Sequence, residues 1–422
     1  MKNLNLLKYN RHWEKGFKHP YAKKRDSFAL LAKYITKKQI VELIGLRRTG
    51  KTILFLQIIN YLLVNKVNPF TVWYFTFDEE SLDLDALLQN FAAQTQVDFK
   101  NTKVFIFLDE IQKLKNFQSK IKIYYDLYPN IKFFISGSTS LFVKKKTQES
   151  LAGRIQSFFL PPLNFKEYLY FKDKSELLKK PAALKPEIEK EFEIFLQSQF
   201  VETAGIDSAD ERKEYFISIM KKIIFEDIPQ IFPIDNPDIL WRLVKIIGQN
   251  PGMLINYQNL SREIGVSNKT ISNYLFYLEE SFIIKKIYNF SRNLLTSEKK
   301  LKKFYLASPS FSWAVSDFIE SGKLAENFVA SLNDYKFFWR DAYKHEVDFI
   351  DVNNNVITPI EVKYRNQFSK KDFKNLILFS KKFNAKKAVL FRKGLEKEKI
   401  KIQDLEIEQT PIYFIGAGSN SD

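Results

Sequence analysis

Ile40-Val-Glu-Leu-Ile44 runs directly into Gly45-Leu-Arg-Arg-Thr-Gly-Lys-Thr52. The apolar run reads as a buried strand, and the loop after it has the spacing GxxxxGK[ST], so its glycines fall on a strand-to-helix turn. The amphipathic run Ile53 to Leu63 continues the pattern as a helix. Such a turn aims backbone N–H groups from Gly45, Arg47, Arg48, Thr49 and Gly50, together with a helix N-terminus, at one point, which suits a β-phosphate. Lys51 is placed to reach the β- and γ-oxygens, and the Thr52 hydroxyl to reach a Mg²⁺ ion. The expected ligand is ATP or GTP.

The other half of such a site is a carboxylate at the end of a second buried strand. Val104-Phe-Ile-Phe-Leu-Asp109-Glu110 supplies one about sixty residues after the loop. Asp109 is the expected holder of Mg²⁺ through its water shell, and Glu110 the group that polarises the attacking water. Two more apolar runs, Phe70 to Phe77 and Ile131 to Ser138, complete an alternation of strands and helices. That alternation predicts a parallel sheet covered by helices on both faces. Ser138 stands either as a sensor of the γ-phosphate or as an ordinary turn residue. Arg154 stands either as a charge donated to a neighbouring subunit's nucleotide, in a homo-oligomer, or as a surface ion pair.

Several of these motifs occur together in one family. The Gly-x-Arg-Arg-x-Gly-Lys-Thr loop, Leu108-Asp-Glu-Ile-Gln112, Ser136-Gly-Ser-Thr-Ser140, Ala152-Gly-Arg154 and Pro162-Leu-Asn-Phe-Lys-Glu-Tyr168 together resemble the archaeal and bacterial AAA-type ATPases with a C-terminal nuclease-like domain of uncharacterised function. The resemblance covers nearly the whole chain. It implies ATP rather than GTP as the nucleotide.

Composition narrows the remaining classes. The chain has 422 residues, 45% of them hydrophobic, enough for two to four domains with packed cores. No apolar stretch approaches the ~18 to 20 residues that span a bilayer, and the N-terminus lacks a signal-peptide core, so the expected compartment is the cytoplasm. There is no cysteine, which removes disulfides, cysteine nucleophiles and cysteine-based zinc sites. The only histidines are His12, His19 and His345. The net charge of +17 lies wholly in residues 1–25, at net +7, and 361–401, at net +10. Positive charge so concentrated fits a polyanion, and DNA is the expected partner. The competing reading is a lysine-rich composition that leaves solvated Lys on helix faces.

The expected fold class is α/β: a P-loop NTPase parallel sheet with a helical lid, a winged helix-turn-helix and a C-terminal α/β nuclease-like domain. Residues 1–25 form a basic arm or first helix, 26–160 the ATPase core, 161–235 the lid, 236–300 the winged helix and 301–422 the last domain. In the winged helix, Asn256 to Leu275 reads as helix, tight turn at Gly265, and a second helix capped by Ser267. Asn268, Lys269, Ser272 and Asn273 lie on its outer face, either as DNA contacts or as the surface of an interdomain spacer.

In the last domain, Glu346-Val-Asp348-Phe-Ile, a turn at Asn353-Asn-Asn355, and Val356 to Lys363 read as a hairpin. Glu361 and Lys363 project from one face. With Asp348 on that face, two carboxylates and an ammonium converge, a set of hard oxygen ligands for Mg²⁺ or Mn²⁺. The spacing Asp-x(12)-Glu-x-Lys resembles the PD-(D/E)XK nuclease core, and Glu326 fits that family's helix-borne acid. The resemblance implies metal-dependent phosphodiester cleavage by Asp348, Glu361 and Lys363, with Glu326 as a further ligand. The alternative is a regulatory nucleotide switch that binds protein or promoter DNA and cuts nothing.

Overall fold

The computed structural model describes residues 5–78, 82–138 and 151–416. The chain divides into two compact units, residues 1–161 and 162–422.

The first unit is built on five parallel strands, β1 (Ile40–Ile44), β2 (Val72–Thr76), β3 (Val104–Asp109), β4 (Ile131–Gly137) and β5 (Ile155–Phe159), in the order β2-β3-β4-β1-β5. β1, β3 and β4 are buried at every residue, as unbroken apolar runs require when helices cover both faces. The helix Lys51–Val64 buries Leu54, Phe55, Ile58, Ile59 and Leu62, a 3.6-residue stripe. Phe55 meets Phe107 edge-on, and Phe107 stacks at 4.5 Å on Phe134, its register partner in the next strand. β5 was not anticipated. Its Ile-Gln-Ser-Phe-Phe sequence is only half-buried, so it lacks the apolar run that marks the other four.

Residues 5–25, expected as a basic arm, lie folded against this unit. The Asn10 side chain donates to the Tyr74 carbonyl at 3.0 Å and accepts from the Tyr74 N–H at 2.7 Å, while His12 and Trp13 both reach the Val72 carbonyl. A side-chain amide thus completes the ladder of edge strand β2 where another strand would otherwise pair. Lys8, Arg11, Lys15, Lys18 and Lys24 still face solvent, but Arg25 is buried.

The second unit holds a nine-stranded mixed sheet. Its strands are β6 (Met253–Ile255), β7 (Ile284–Asn289), β8 (Lys302–Leu306), β9 (Phe337–Arg340), β10 (Glu346–Asn353), β11 (Val356–Lys363), β12 (Lys387–Arg392), β13 (Glu398–Ile402) and β14 (Leu405–Pro411), in the order β13-β14-β12-β11-β10-β9-β7-β8-β6. β7 pairs in parallel with β9 through Tyr288–Phe337 and Asn289–Phe338, which joins the β6–β8–β7 ladder to the C-terminal strands.

Two expected boundaries therefore move. A division at residue 300 would cut between β7 and β8, which pair antiparallel over five residues. The expected lid is also no separate layer: Phe165, Tyr168, Phe192 and Phe195 share one core with Phe328, Phe349, Ile360 and Tyr413. The charged stretches of that segment read as a solvated lid, yet its aromatic stripe packs on the last sheet's own helix, Ser321–Leu332, through Phe192–Phe328 and Phe195–Phe328.

Candidate functional site

The loop after β1 turns where the glycines allow it. A Cβ on Gly45 would stand 2.5 Å from the Leu160 carbonyl oxygen, so no side chain fits there, and Gly50 takes a left-handed φ of 95° just before the helix. Arg48 is also left-handed, at φ 67°. Lys51, only 5% exposed, folds back to donate to the Gly45 and Leu46 carbonyls at 2.9 and 3.0 Å. The loop is tied from behind as well: Arg25 donates to the Thr49 carbonyl at 3.2 Å and to the Pro161 carbonyl at 2.7 Å.

The sheet order sets β4 between β1 and β3, so the ends of all three strands open on one edge. There the structure brings the expected groups together. Thr52 and Ser136 both donate to Asp109, and Tyr74 donates to it at 3.0 Å. Burial, and then the neighbouring charge of Glu110, push the Asp109 carboxyl above the usual range. Its contact with Thr52 brings together the two residues expected to hold Mg²⁺. Glu110 is left-handed at φ 51°, and its carboxylate accepts from Gln112 and from Ser138 at 3.1 Å. Ser136, Gln112 and Tyr74 had not been singled out. The signal available for two of them was proximity to Asp-Glu and to Ser138 in sequence.

Arg154 forms a two-pronged ion pair with Asp126, Nε to Oδ1 at 2.9 Å and Nη2 to Oδ2 at 3.1 Å, which is the surface ion-pair alternative. Thr139 and Ser140 of the Ser-Gly-Ser-Thr-Ser segment lie outside the described residues.

In the second unit, the helices Tyr257–Ile264 and Asn268–Glu280 meet at Gly265, φ 84°, and Ser267 caps the second. Leu260, Ile264, Ile271, Leu275 and Leu278 are buried, while Asn268, Lys269, Ser272 and Asn273 are all exposed.

The C-terminal hairpin has the expected register. Phe349 stands opposite Ile360, and Asn354 and Asn355 are both left-handed, as a two-residue turn of mirror-image type demands. Asp348 therefore shares a face with Glu361, and Asp348 Oδ2 accepts from the Val362 N–H at 2.9 Å. Lys363 Nζ is 2.6 Å from Glu361 Oε1, while Glu361 Oε2 is buried with no hydrogen-bond partner. Burial, and then the Asp348 charge, push Glu361 up to about 8. An unpaired buried oxygen beside a second carboxylate fits one hard divalent cation.

Glu326 lies near enough that its charge, after burial, pushes the Asp348 carboxyl up, but its own partners are two lysines and a tyrosine. Among the described residues, no group of three acidic or histidine side chains is arranged to hold a metal ion. Glu326 instead accepts from the Tyr305 hydroxyl at 2.6 Å and pairs with Lys323 at 3.0 Å and Lys303 at 3.4 Å. Burial works against its charge, but Lys303 and Lys323 hold it down to about 2. Lys303 and Tyr305 went unread because Lys299-Lys-Leu-Lys-Lys303 looks like a solvated basic run.

Residues 37–169 match the AAA domain family, 200–321 a domain of unknown function (DUF8612) and 321–413 another domain of unknown function (DUF4143). The chain thus carries an AAA domain, as the motif resemblance implied, followed by segments that match two domains of unknown function. An uncharacterized protein of Methanocaldococcus jannaschii is 29% identical over 325 residues, covering 74% of this chain and 71% of that one. A second from the same organism is 26% identical over 324 residues, covering 71% and 66%. An uncharacterized protein of Haemophilus influenzae is 27% identical over 262 residues, covering 57% and 60%. Among solved structures, Cdc6p from Pyrobaculum aerophilum matches with a TM-score of 0.29 at 12% identity, covering 76% of this chain and 98% of that one. The Drosophila ORC bound to AT-rich DNA and Cdc6 matches at 0.23, also 12% identical, covering 68% and 88%. Likeness at that level carries no inference about ligand or partner. Among the described residues no helix is long and apolar enough to cross a membrane.

Proposed function

We propose that the first unit binds and hydrolyses ATP, and that the second unit carries the surfaces through which the nucleotide state acts on DNA. The observation that carries the first part is the meeting of Thr52, Ser136 and Tyr74 on Asp109, with Glu110 held beside it by Gln112 and Ser138. Mg²⁺ held there by Thr52 and Asp109 would neutralise charge on the β- and γ-phosphates. Lys51, released from the Gly45 and Leu46 carbonyls, exchanges two backbone acceptors for phosphate oxygens, and Glu110 orients the attacking water. Ser138 is placed to exchange its bond to Glu110 for one to the γ-phosphate. The test is turnover of Mg-ATP by the wild type and by Lys51→Ala, with folding checked by circular dichroism. Equal turnover in the two removes this reading.

For the second unit, the exposed Asn268, Lys269, Ser272 and Asn273 on a capped helix, followed by the β7–β8 hairpin, support a winged helix that contacts DNA. Asp348, Glu361 and Lys363 support a one-cation site, Mg²⁺ or Mn²⁺, for phosphodiester cleavage; the carrying observation is the unpartnered Glu361 oxygen. Plasmid incubated with Mn²⁺ and the wild type, beside Asp348→Ala, tests it. A second reading, a switch that binds DNA or protein without cutting, is favoured by the lysines already beside these carboxylates, Lys303 on Asp348 and Lys363 on Glu361. It predicts that no cutting is lost in Asp348→Ala.

A further inference from the structure

Lys303 is 2% exposed, and its ammonium lies 2.6 Å from Glu346 Oε1, 3.4 Å from Glu326 Oε1 and 3.7 Å from Asp348 Oδ1. It comes from β8, although β7 and β9 stand between β8 and β10 in the sheet order. Tyr305, two residues on, donates to Glu326 from the same strand face. Gly252, just ahead of β6, closes over the pair: a Cβ there would stand 2.8 Å from Glu326 Oε1 and 2.9 Å from the Tyr305 hydroxyl. The carboxylates lie in the segment matching one family of unknown function, whereas Lys303 and Tyr305 lie in the segment matching the other.

Carboxylates gathered in or at the edge of a low-dielectric interior stay ionised only with positive charge among them, because an unpaired buried ion is strongly unfavourable. The cluster is consequently divided in two. On one side Glu326 is paired by Lys303, Lys323 and Tyr305, and Glu346 by Lys303 and Arg340. On the other, Glu361 keeps a buried oxygen with no partner.

We propose that Lys303 is a tethered cation that permanently occupies the Glu326–Glu346–Asp348 side of the cluster, so that a divalent ion is admitted only between Asp348 and Glu361. It is a positioning residue, holding Asp348 from one oxygen while the Val362 N–H holds the other. The assignment rests on the one-cation reading given above for Asp348 and Glu361. It adds that the charge missing from a multi-carboxylate metal site is supplied by the chain itself, from a strand outside the hairpin.

The test is Mn²⁺ binding to the full chain without nucleotide, counted by titration calorimetry and by the loss of free-ion signal in electron paramagnetic resonance. The wild type should bind one ion that Glu361→Gln removes. Lys303→Met should bind one ion more than the wild type, and Lys303→Met/Glu326→Gln should lose that additional ion. An unchanged count in Lys303→Met overturns the proposal. If the wild type binds no ion sensitive to Glu361→Gln while Lys303→Met still gains one sensitive to Glu326→Gln, the role of Lys303 stands and the cleavage reading falls. Should Lys303→Met be too unstable to titrate, its melting temperature is compared with and without Mn²⁺. A rise larger than that of the wild type supports the proposal, and an equal or smaller rise overturns it.

Discussion

Gln112 and Glu110 are joined side chain to side chain, and Ser138 completes the contact, accepting from the Gln112 amide at 3.1 Å and donating to the same Glu110 oxygen. Glu110 is thus aimed by two neutral donors before any water arrives. Glu110→Gln keeps the shape and the bonding capacity but removes the negative charge. It should retain Mg-ATP affinity, measured by calorimetry, while turnover falls about a hundredfold or more, the usual scale for losing a positioned base.

Arg25 ties the segment ahead of the sheet to the phosphate loop. Its guanidinium serves two carbonyls, Thr49 and Pro161, in a nearly buried position. Arg25→Ala leaves both acceptors short of a charged donor and should destabilise the first unit by about 2 kcal/mol. A lower melting temperature with weaker nucleotide binding is expected. An unchanged affinity would show that the loop holds its form without this tie.

His12 gives the chain an acid-sensitive contact. Burial, countered in part by the Val72 carbonyl and assisted by nearby His19, lowers it from 6.5 to about 4. Its Nε2 bonds to the Val72 carbonyl at 2.9 Å, while Nδ1 is buried without a partner, so a second proton has no acceptor. Between those two values the unfolded chain binds a proton that the folded chain refuses. Stability should be complete above about pH 6.5 and fall by about 3 kcal/mol as the pH drops to about 4. His19, whose own value is lowered by burial and then by Arg11, adds to the same limb. His12→Gln should flatten most of this dependence in denaturant titrations run across that range.

The basic surfaces make a different prediction. If Lys269 and the lysines of residues 361–401 meet phosphates, duplex DNA binding must weaken steeply as salt rises, with a log–log slope of about −0.9 for each phosphate neutralised. Lys269→Ala should reduce that slope by about one. A binding isotherm insensitive to salt would remove DNA from the reading.

The first unit was largely legible because its strands are unbroken apolar runs and its loop glycines sit where only glycine fits, as at Gly45. The Asp348–Glu361–Lys363 arrangement was legible too, since strand periodicity and an Asn-Asn turn determine a hairpin's register. What escaped was non-local. Lys303 looks like its solvated neighbours in sequence, and only tertiary packing, which no local pattern encodes, buries it among acids. Asn10 and His12 were hidden for a similar reason: a polar residue that finishes an edge strand is indistinguishable, in sequence, from one in a free tail. What the stripe of Phe192 and Phe195 packs against was not legible either, because helical periodicity marks a buried face without saying which element covers it.

The β7–β9 pairing has a practical corollary for anyone assembling chimeras from this chain. Because one ladder runs from Met253 to Pro411, a graft made at the apparent seam near residue 300 would sever hydrogen-bonded neighbours and export a carboxylate cluster stripped of its lysine. Everything after Pro161 is best transplanted, or discarded, in a single piece.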